Sequence, residues 1–264
     1  MKAEELLQAG RLEESLSELQ NTVRAKPAEA EPRVFLFQIL CVLGQWQRAL
    51  TQLEALAAAS SDHLLLATIF RPVVECEMLR TEVFAGRTTP LVFGEPSPWM
   101  GELVQANSLA ANGKYAAAAE LRTRAFDQAP PTPGQLNQQP FEWIADADTR
   151  LGPMLEAVVE GKYYWVPFCR LKRVYIEKPA DLRDLIWAPA QFVWTNGGEA
   201  AGHIPVRYPD TEKSTDGPLR LGRRTEWLEH EAGCVSGLGQ RILATDGAEV
   251  PLLECRTIDL TPPA

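Results

Sequence analysis

Carboxylates, thiols and histidines are the groups through which this chain would do chemistry. Asp146 and Asp148 are separated by one residue. On a strand, side chains two apart share a face, as a two-carboxylate metal site requires. The pair equally suits a solvated face or a cap for a helix beginning near Thr149, and that plainer reading is adopted. Glu226, Glu229, His230 and Glu231 form a second cluster. The chain has three histidines, His63, His203 and His230. A zinc site would therefore need carboxylates and distant partners, and no metal is expected. Ser236, in Gly233-Cys234-Val235-Ser236-Gly237, has glycine on one side only and does not form a nucleophile elbow. Cys169 or Cys234 would need His203 or His230 as a base; buried structural thiols are the commoner case. No GxxxxGK[ST] or GxGxxG loop is present. Gly237-Leu238-Gly239 lacks a third glycine and reads as a turn before a strand. No cofactor is expected.

The elements that would position such groups follow from composition and repeats. Hydrophobic residues make up 45% of the 264, enough for a substantial core, and the net charge is −9. An acidic surface repels phosphate backbones and anionic lipid, so neither nucleic acid nor a membrane is an expected partner. Five scattered cysteines, never spaced CxxC, fit reduced thiols. The opening Met1-Lys2-Ala3-Glu4-Glu5 carries no signal pattern, and no apolar run is long enough to span a bilayer. A cytoplasmic protein is expected.

Gly10-Arg11-Leu12-Glu13-Glu14-Ser15-Leu16 recurs as Gly44-Gln45-Trp46-Gln47-Arg48-Ala49-Leu50 and as Gly113-Lys114-Tyr115-Ala116-Ala117-Ala118-Ala119. The first two glycines are 34 residues apart, the tetratricopeptide period, and the third lies 69 further on. Glycine supplies the left-handed turn between paired helices. Leu12, Trp46 and Tyr115 then open the second helix of each pair. Leu16 and Leu19, and Leu50 and Leu53, continue its apolar face; Ala119 and Arg122 break that pattern in the third copy. Pro27 and Pro130 follow their glycines by 17 residues and stop the helices. Leu64 to Val83 reads as helix with a break at Pro72, Gly86 to Pro98 as loop, and Trp99 to Ala111 as helix.

The Pro/Gln-rich run from Pro130 to Pro140 is nearly uncharged and marks the boundary. Beyond it, Thr149 to Glu160 reads as helix, Tyr163 to Ile176 as one or two strands, and Asp181 to Trp187 as a short helix. Gln191–Thr195 and Ile204–Tyr208 read as strands around Asn196-Gly197-Gly198, a structural turn with positive φ expected. Gln240–Thr245 and Val250–Ile258 flank the hairpin signal Asp246-Gly247. The expected fold is α+β: residues 1–130 a tetratricopeptide-like helical repeat domain, 131–140 a linker, and 141–264 an α+β domain with a mostly antiparallel sheet. Most of the tryptophans Trp143, Trp165, Trp187, Trp194 and Trp227 should be core, with one or two left as exposed anchors.

Several motifs resemble the ImpE/SciE (TagJ-type) family. They are Phe93-Gly94-Glu95-Pro96, Asp146-Ala147-Asp148 with Arg150-Leu151-Gly152-Pro153, Tyr163-Tyr164-Trp165-Val166-Pro167, Asp181 through Trp187, and Trp194-Thr195-Asn196-Gly197-Gly198-Glu199. Gly202 through Tyr208, Thr225-Glu226-Trp227 and Gly237 through Arg241 continue the series. The resemblance covers essentially the whole chain. It implies a non-catalytic accessory protein of bacterial type VI secretion, associated with the contractile sheath's small subunit TssB and with the ClpV ATPase that dismantles the sheath. The alternative is a small α+β enzyme with the repeats as a targeting arm. For the adaptor, an amphipathic helix of the sheath subunit is expected to dock on an apolar groove of the helical half. Arg33, Phe37, Gln38 and Cys41, on the first helix of the second pair, are the candidate partner-binding residues.

Overall fold

Residues 2–261 are described by a computed structural model. Seven helices form the first half: α1 (Lys2–Gln8), α2 (Leu12–Ala25), α3 (Ala30–Val42), α4 (Trp46–Ala59), α5 (Leu64–Phe84), α6 (Pro98–Ala111) and α7 (Tyr115–Gln128). Three of them begin at Leu12, Trp46 and Tyr115, the positions the glycine spacing picks out. The glycines before them have φ of +75° (Gly10), +67° (Gly44) and +74° (Gly113), where an L side chain is strained. The apolar face read from the sequence is buried, with Leu12, Leu16 and Leu19 on α2 and Leu50 and Leu53 on α4, and Ala49 is buried beside them.

α5 runs unbroken through Pro72, where a break was expected. A proline removes one backbone bond, but Phe70, Val73, Val74 and Cys76 are all buried around it. Packing of that face outweighs the local cost.

The second half supplies most of the strands. After β1 (Leu91–Val92) come β2 (Gly134–Leu136), β3 (Gln139–Phe141), β4 (Ile144–Asp146), β5 (Met154–Val159), β6 (Lys162–Pro167) and β7 (Leu171–Ile176). They are followed by β8 (Trp187–Trp194), β9 (Glu199–Pro205), β10 (Thr225–Glu229), β11 (Val235–Gly239), β12 (Ile242–Thr245), β13 (Glu249–Pro251) and β14 (Thr257–Leu260). Nine strands form one sheet in the order β1-β6-β5-β9-β8-β7-β14-β2-β3. Its pairings are antiparallel except β1 with β6. β13-β12-β4 and β10-β11 are smaller sheets. The fold is therefore α+β with a mostly antiparallel sheet.

Three expectations are corrected. Residues 149–160 form a turn followed by β5 (Met154–Val159), not a helix. Leu151, Leu155, Val158 and Val159 mimic a helical period, but all six residues of β5 are buried. A strand covered on both faces has no alternation to read. The signal overlooked is Glu160-Gly161, with φ of +50° and +72°, which closes the β5–β6 hairpin as a two-residue turn. Residues 131–140 carry β2 and most of β3, the edge hairpin of the main sheet, rather than a bare linker. Pro140 is tolerated because β3 is an edge strand. Gly237-Leu238-Gly239 lies within β11, not in a turn before a strand.

Alternation along β5 splits the interior. Met154 and Val158 face the helices, sharing a core with Phe37, Val74, Phe84, Leu103, Trp165 and Trp187. Leu155, Ala157 and Val159 face a second core with Phe168, Phe192, Ile204 and Leu243. One continuous apolar layer thus joins helices and sheet across the sequence boundary near residue 130.

The turn between β8 and β9 is built as its residues require. Gly197 N donates to the Trp194 carbonyl at 3.0 Å, Trp194 N donates to the Gly198 carbonyl at 2.9 Å, and Gly197 has φ +85°. Asn196 Oδ1 accepts from Gly198 N at 2.9 Å. A Cβ at Gly197 would touch nothing within 4 Å, so the penalty for a side chain is purely conformational. Gly197→Val should destabilise the chain by about 1–3 kcal/mol, read as a lowered urea midpoint; an unchanged midpoint would exclude strain there.

Candidate partner-docking groove and the buried ion-pair centre

The carboxylates singled out by sequence are not solvated. Asp146 and Asp148 are 3% and 0% exposed, and they end a buried chain of ion pairs. Glu156 is at its middle because β5 alternation points it at the helices, toward Arg80 of α5. Arg80 donates to Glu156 from Nε (2.6 Å) and Nη2 (2.8 Å), and to Glu77 from Nη1 (2.7 Å). The Tyr163 hydroxyl and Arg241 also donate to Glu156, and Arg241 reaches on to Asp146. Tyr208 donates to Asp146 at 3.1 Å. Asp148 accepts from Arg150 and, at 2.9 Å, from Gly237 N. Trp187 Nε1 donates to Glu77 at 2.9 Å. Arg207 extends the centre to α3, donating to the Val42 carbonyl at 2.8 Å.

Burial sets the electrostatics. It opposes ionisation of Glu156, but Arg80 and Arg241 outweigh it and hold that carboxyl down at about 2. Asp146 goes the other way, pushed up to about 6: burial dominates, Arg241 opposes it, and neighbouring Asp148 adds to it. One guanidinium shared by two carboxylates serves Glu156 better. A carboxyl raised in the folded state stabilises below its unfolded pKa and loses that contribution as pH rises through about 6. Asp146→Asn should therefore make the slope of Tm against pH more positive between about pH 4 and 6. Parallel wild-type and variant curves across that window would contradict the shift. Glu156 has the opposite sign, its contribution being lost as pH falls from the ordinary carboxylate range through about 2.

Asp148, Glu156 and Arg241 are all 0% exposed, so the middle of this centre is closed, and Arg150 at its end reaches a cavity wall. Of the other chemistry-bearing residues, His230, Cys234 and Ser236 line one cavity, and the rest are dispersed. Glu226 and Glu229 lie on the exposed strand β10. His230 bonds Ser236 Oγ at 2.8 Å and stacks on Tyr115. His203 packs on Phe70, and burial lowers its pKa. Cys169 is half-buried and Cys234 buried. Among the described residues no three of His, Cys, Asp and Glu are grouped as metal ligands. Trp165, Trp187 and Trp194 are core, whereas Trp143 and Trp227 are 40% and 38% exposed.

The helical half does carry an open groove of about 430 Å³, lined by Glu4 and Leu7 of α1, Glu31, Val34, Phe35 and Gln38 of α3, and His63. Its floor is apolar and its carboxylates are at Glu4 and Glu31. The Nδ1 atom of His63 is buried without a hydrogen-bond partner. Leu64 and Leu65, next along the chain, are 54% and 67% exposed. Of the four expected partner-binding residues, only Gln38 lines this groove. Phe37 and Cys41 are fully buried, Phe37 against Phe70 with ring centroids 6.1 Å apart. Arg33 donates to Gln52 of α4 at 3.1 Å. The correction is one of helix phase. Positions 33, 37 and 41 follow one stripe of α3, and positions 31, 34, 35 and 38 follow another at i, i+3, i+4 and i+7. The apolar excess of α3 signals two apolar faces without saying which is covered.

Fold and site together define a class: helical pairs layered on a mostly antiparallel sheet, with an ionisable centre buried between them. A sequence profile described as "ImpE protein" matches residues 138–259. Over 264 residues the chain is 47% identical to the Pseudomonas aeruginosa protein described as type VI secretion system accessory component TagJ, covering 99% of this chain and 92% of that one. The X-ray crystal structure of protein VPA1032 from Vibrio parahaemolyticus matches with a TM-score of 0.91 and 25% identity, over 99% of this chain and 98% of that one. The chain belongs to the ImpE family of type VI secretion accessory proteins.

Proposed function

We propose that this protein is a non-enzymatic adaptor acting in the cytoplasm on the contractile sheath of a type VI secretion system. Its helical half is read as a degenerate tetratricopeptide-type array, from the three glycine turns and the helices that follow them. The groove lined by Leu7, Val34, Phe35, Gln38 and His63 receives an amphipathic helix of the sheath small subunit, TssB, and the ClpV ATPase is met through another surface. The observation that carries the reading is the contrast between the two sites. The middle of the ionisable cluster is closed, while the open groove has an apolar floor of Leu7, Val34 and Phe35 with Glu4, Glu31 and His63 as its ionisable groups. A helix laid in such a groove anchors through apolar side chains at i, i+3, i+4 and i+7. The two glutamates and the net charge of −9 favour a basic ligand helix, with association slowed by salt.

Co-expression of the chain with the sheath small subunit tests this. The two should co-purify, and the complex should be lost on deleting the subunit's helix. Failure to co-purify at low salt would remove the sheath subunit as the partner.

A further inference from the structure

The third repeat unit places an arginine where the other two have core leucines. Arg122 of α7 corresponds to Leu19 and Leu53, both 0% exposed, and is itself 6% exposed. Burying a guanidinium is costly unless it is paired. The other buried arginines obey that rule. Arg80 and Arg241 meet carboxylates. Arg207 meets the carbonyls of Cys41, Val42 and Arg220, and the half-buried Arg150 meets Asp148. Among the described residues Arg122 has no carboxylate partner. Its Nη1 donates to Cys234 Sγ at 3.2 Å, a weak acceptor, and its Nε is buried without any partner.

Arg122 lines a cavity of about 370 Å³ between α6, α7 and β11, together with Asn107, Tyr115, Arg150, His230 and Ser236. The one carboxylate on its wall, Asp210, is held by Lys213 at 2.6 Å. The Tyr115 and His230 rings stack at 5.0 Å and 11°, forming a flat wall. Ser236 and Asn107 add neutral hydrogen-bonding groups. The cavity therefore combines an uncompensated buried cation with polar side chains in an otherwise acidic chain. We infer that it binds a small molecule through a phosphate or carboxylate group held by Arg122. The guanidinium fork suits either oxyanion, and the volume falls within the range of small-molecule sites. This site is separate from the groove assigned to the sheath helix.

Inorganic phosphate and succinate serve as probes, titrated into the full chain at constant ionic strength against sodium chloride. Calorimetry and thermal melting read the response. The calorimetric isotherm of at least one probe should saturate, and at a hundredfold excess over Kd that probe should raise Tm by about 5 °C. Phosphate alone responding assigns a phosphate group, and succinate alone a carboxylate. Arg122→Gln should weaken that binding by about tenfold or more. Arg122→Leu, which supplies the residue type of the other two units, should fold and abolish the response. Two results overturn the inference: no saturable response of wild type to either probe beyond that to chloride, or undiminished binding by the folded leucine or glutamine variant.

Discussion

Replacing Glu156 with alanine is expected to cost about 3–5 kcal/mol of stability. Glu156 is fully buried and accepts from Arg80, Arg241 and Tyr163. Its removal leaves two guanidiniums short of a counter-charge in the layer between helices and sheet. It also leaves the Tyr163 hydroxyl, which accepts from Trp165 Nε1 at 2.7 Å, without its acceptor. At about 2–4 °C per kcal/mol for a chain of this size, Tm should fall by roughly 6–20 °C. The loss belongs to leaving charges unpaired, so Arg80→Met combined with Glu156→Leu should cost less than the two changes summed. A coupling of at least about 1 kcal/mol is expected from that double-mutant cycle. Additive losses would mean that Arg80 and Glu156 are not partners in solution.

Phe35→Glu has the second large effect, on binding rather than stability. Phe35 lies on the groove side of α3, partly exposed and packed against the core's edge. A carboxylate there sits beside Glu31 and Glu4 in the same groove. It removes an apolar anchor and adds a charge of the same sign as both glutamates. An aromatic anchor at the centre of a helix-binding groove is worth about 2–4 kcal/mol, so affinity should drop by roughly 30- to 1,000-fold. Phe37→Glu is the contrasting change. It buries a charge in the apolar core beside Phe70 and should unfold the helical half instead of blocking the groove.

The helical half was legible wherever local chemistry decides the outcome. Glycines at 10, 44 and 113 need positive φ, and a large apolar residue two positions on opens each helix, so spacing alone located those starts. β5 was illegible because burial on both faces erases its period. The candidate site was legible as a helix but not as a face. Val34, Phe35, Leu36 and Phe37 are all apolar, and only the neighbours, α1 on one side and Phe70 of α5 on the other, decide which stripe is covered. The buried ion pairs were illegible for a different reason. Arg80 and Glu156 are 76 residues apart, and a carboxylate destined for burial carries no local mark that separates it from a solvated one. Arg122 was visible as a break in the repeat, but its consequence depends on the cavity that α6 and β11 build around it.

The most direct measurement is a calorimetric titration of a synthetic peptide, the N-terminal helix of the sheath small subunit, into wild type and Phe35→Glu. Circular dichroism of both proteins should first establish equal folding. The predicted result is saturable binding by wild type that weakens with salt, and loss of at least about 30-fold in affinity in the variant. Equal affinity of the two folded proteins, or no binding by wild type at millimolar peptide, would contradict the groove as the docking site for the sheath helix.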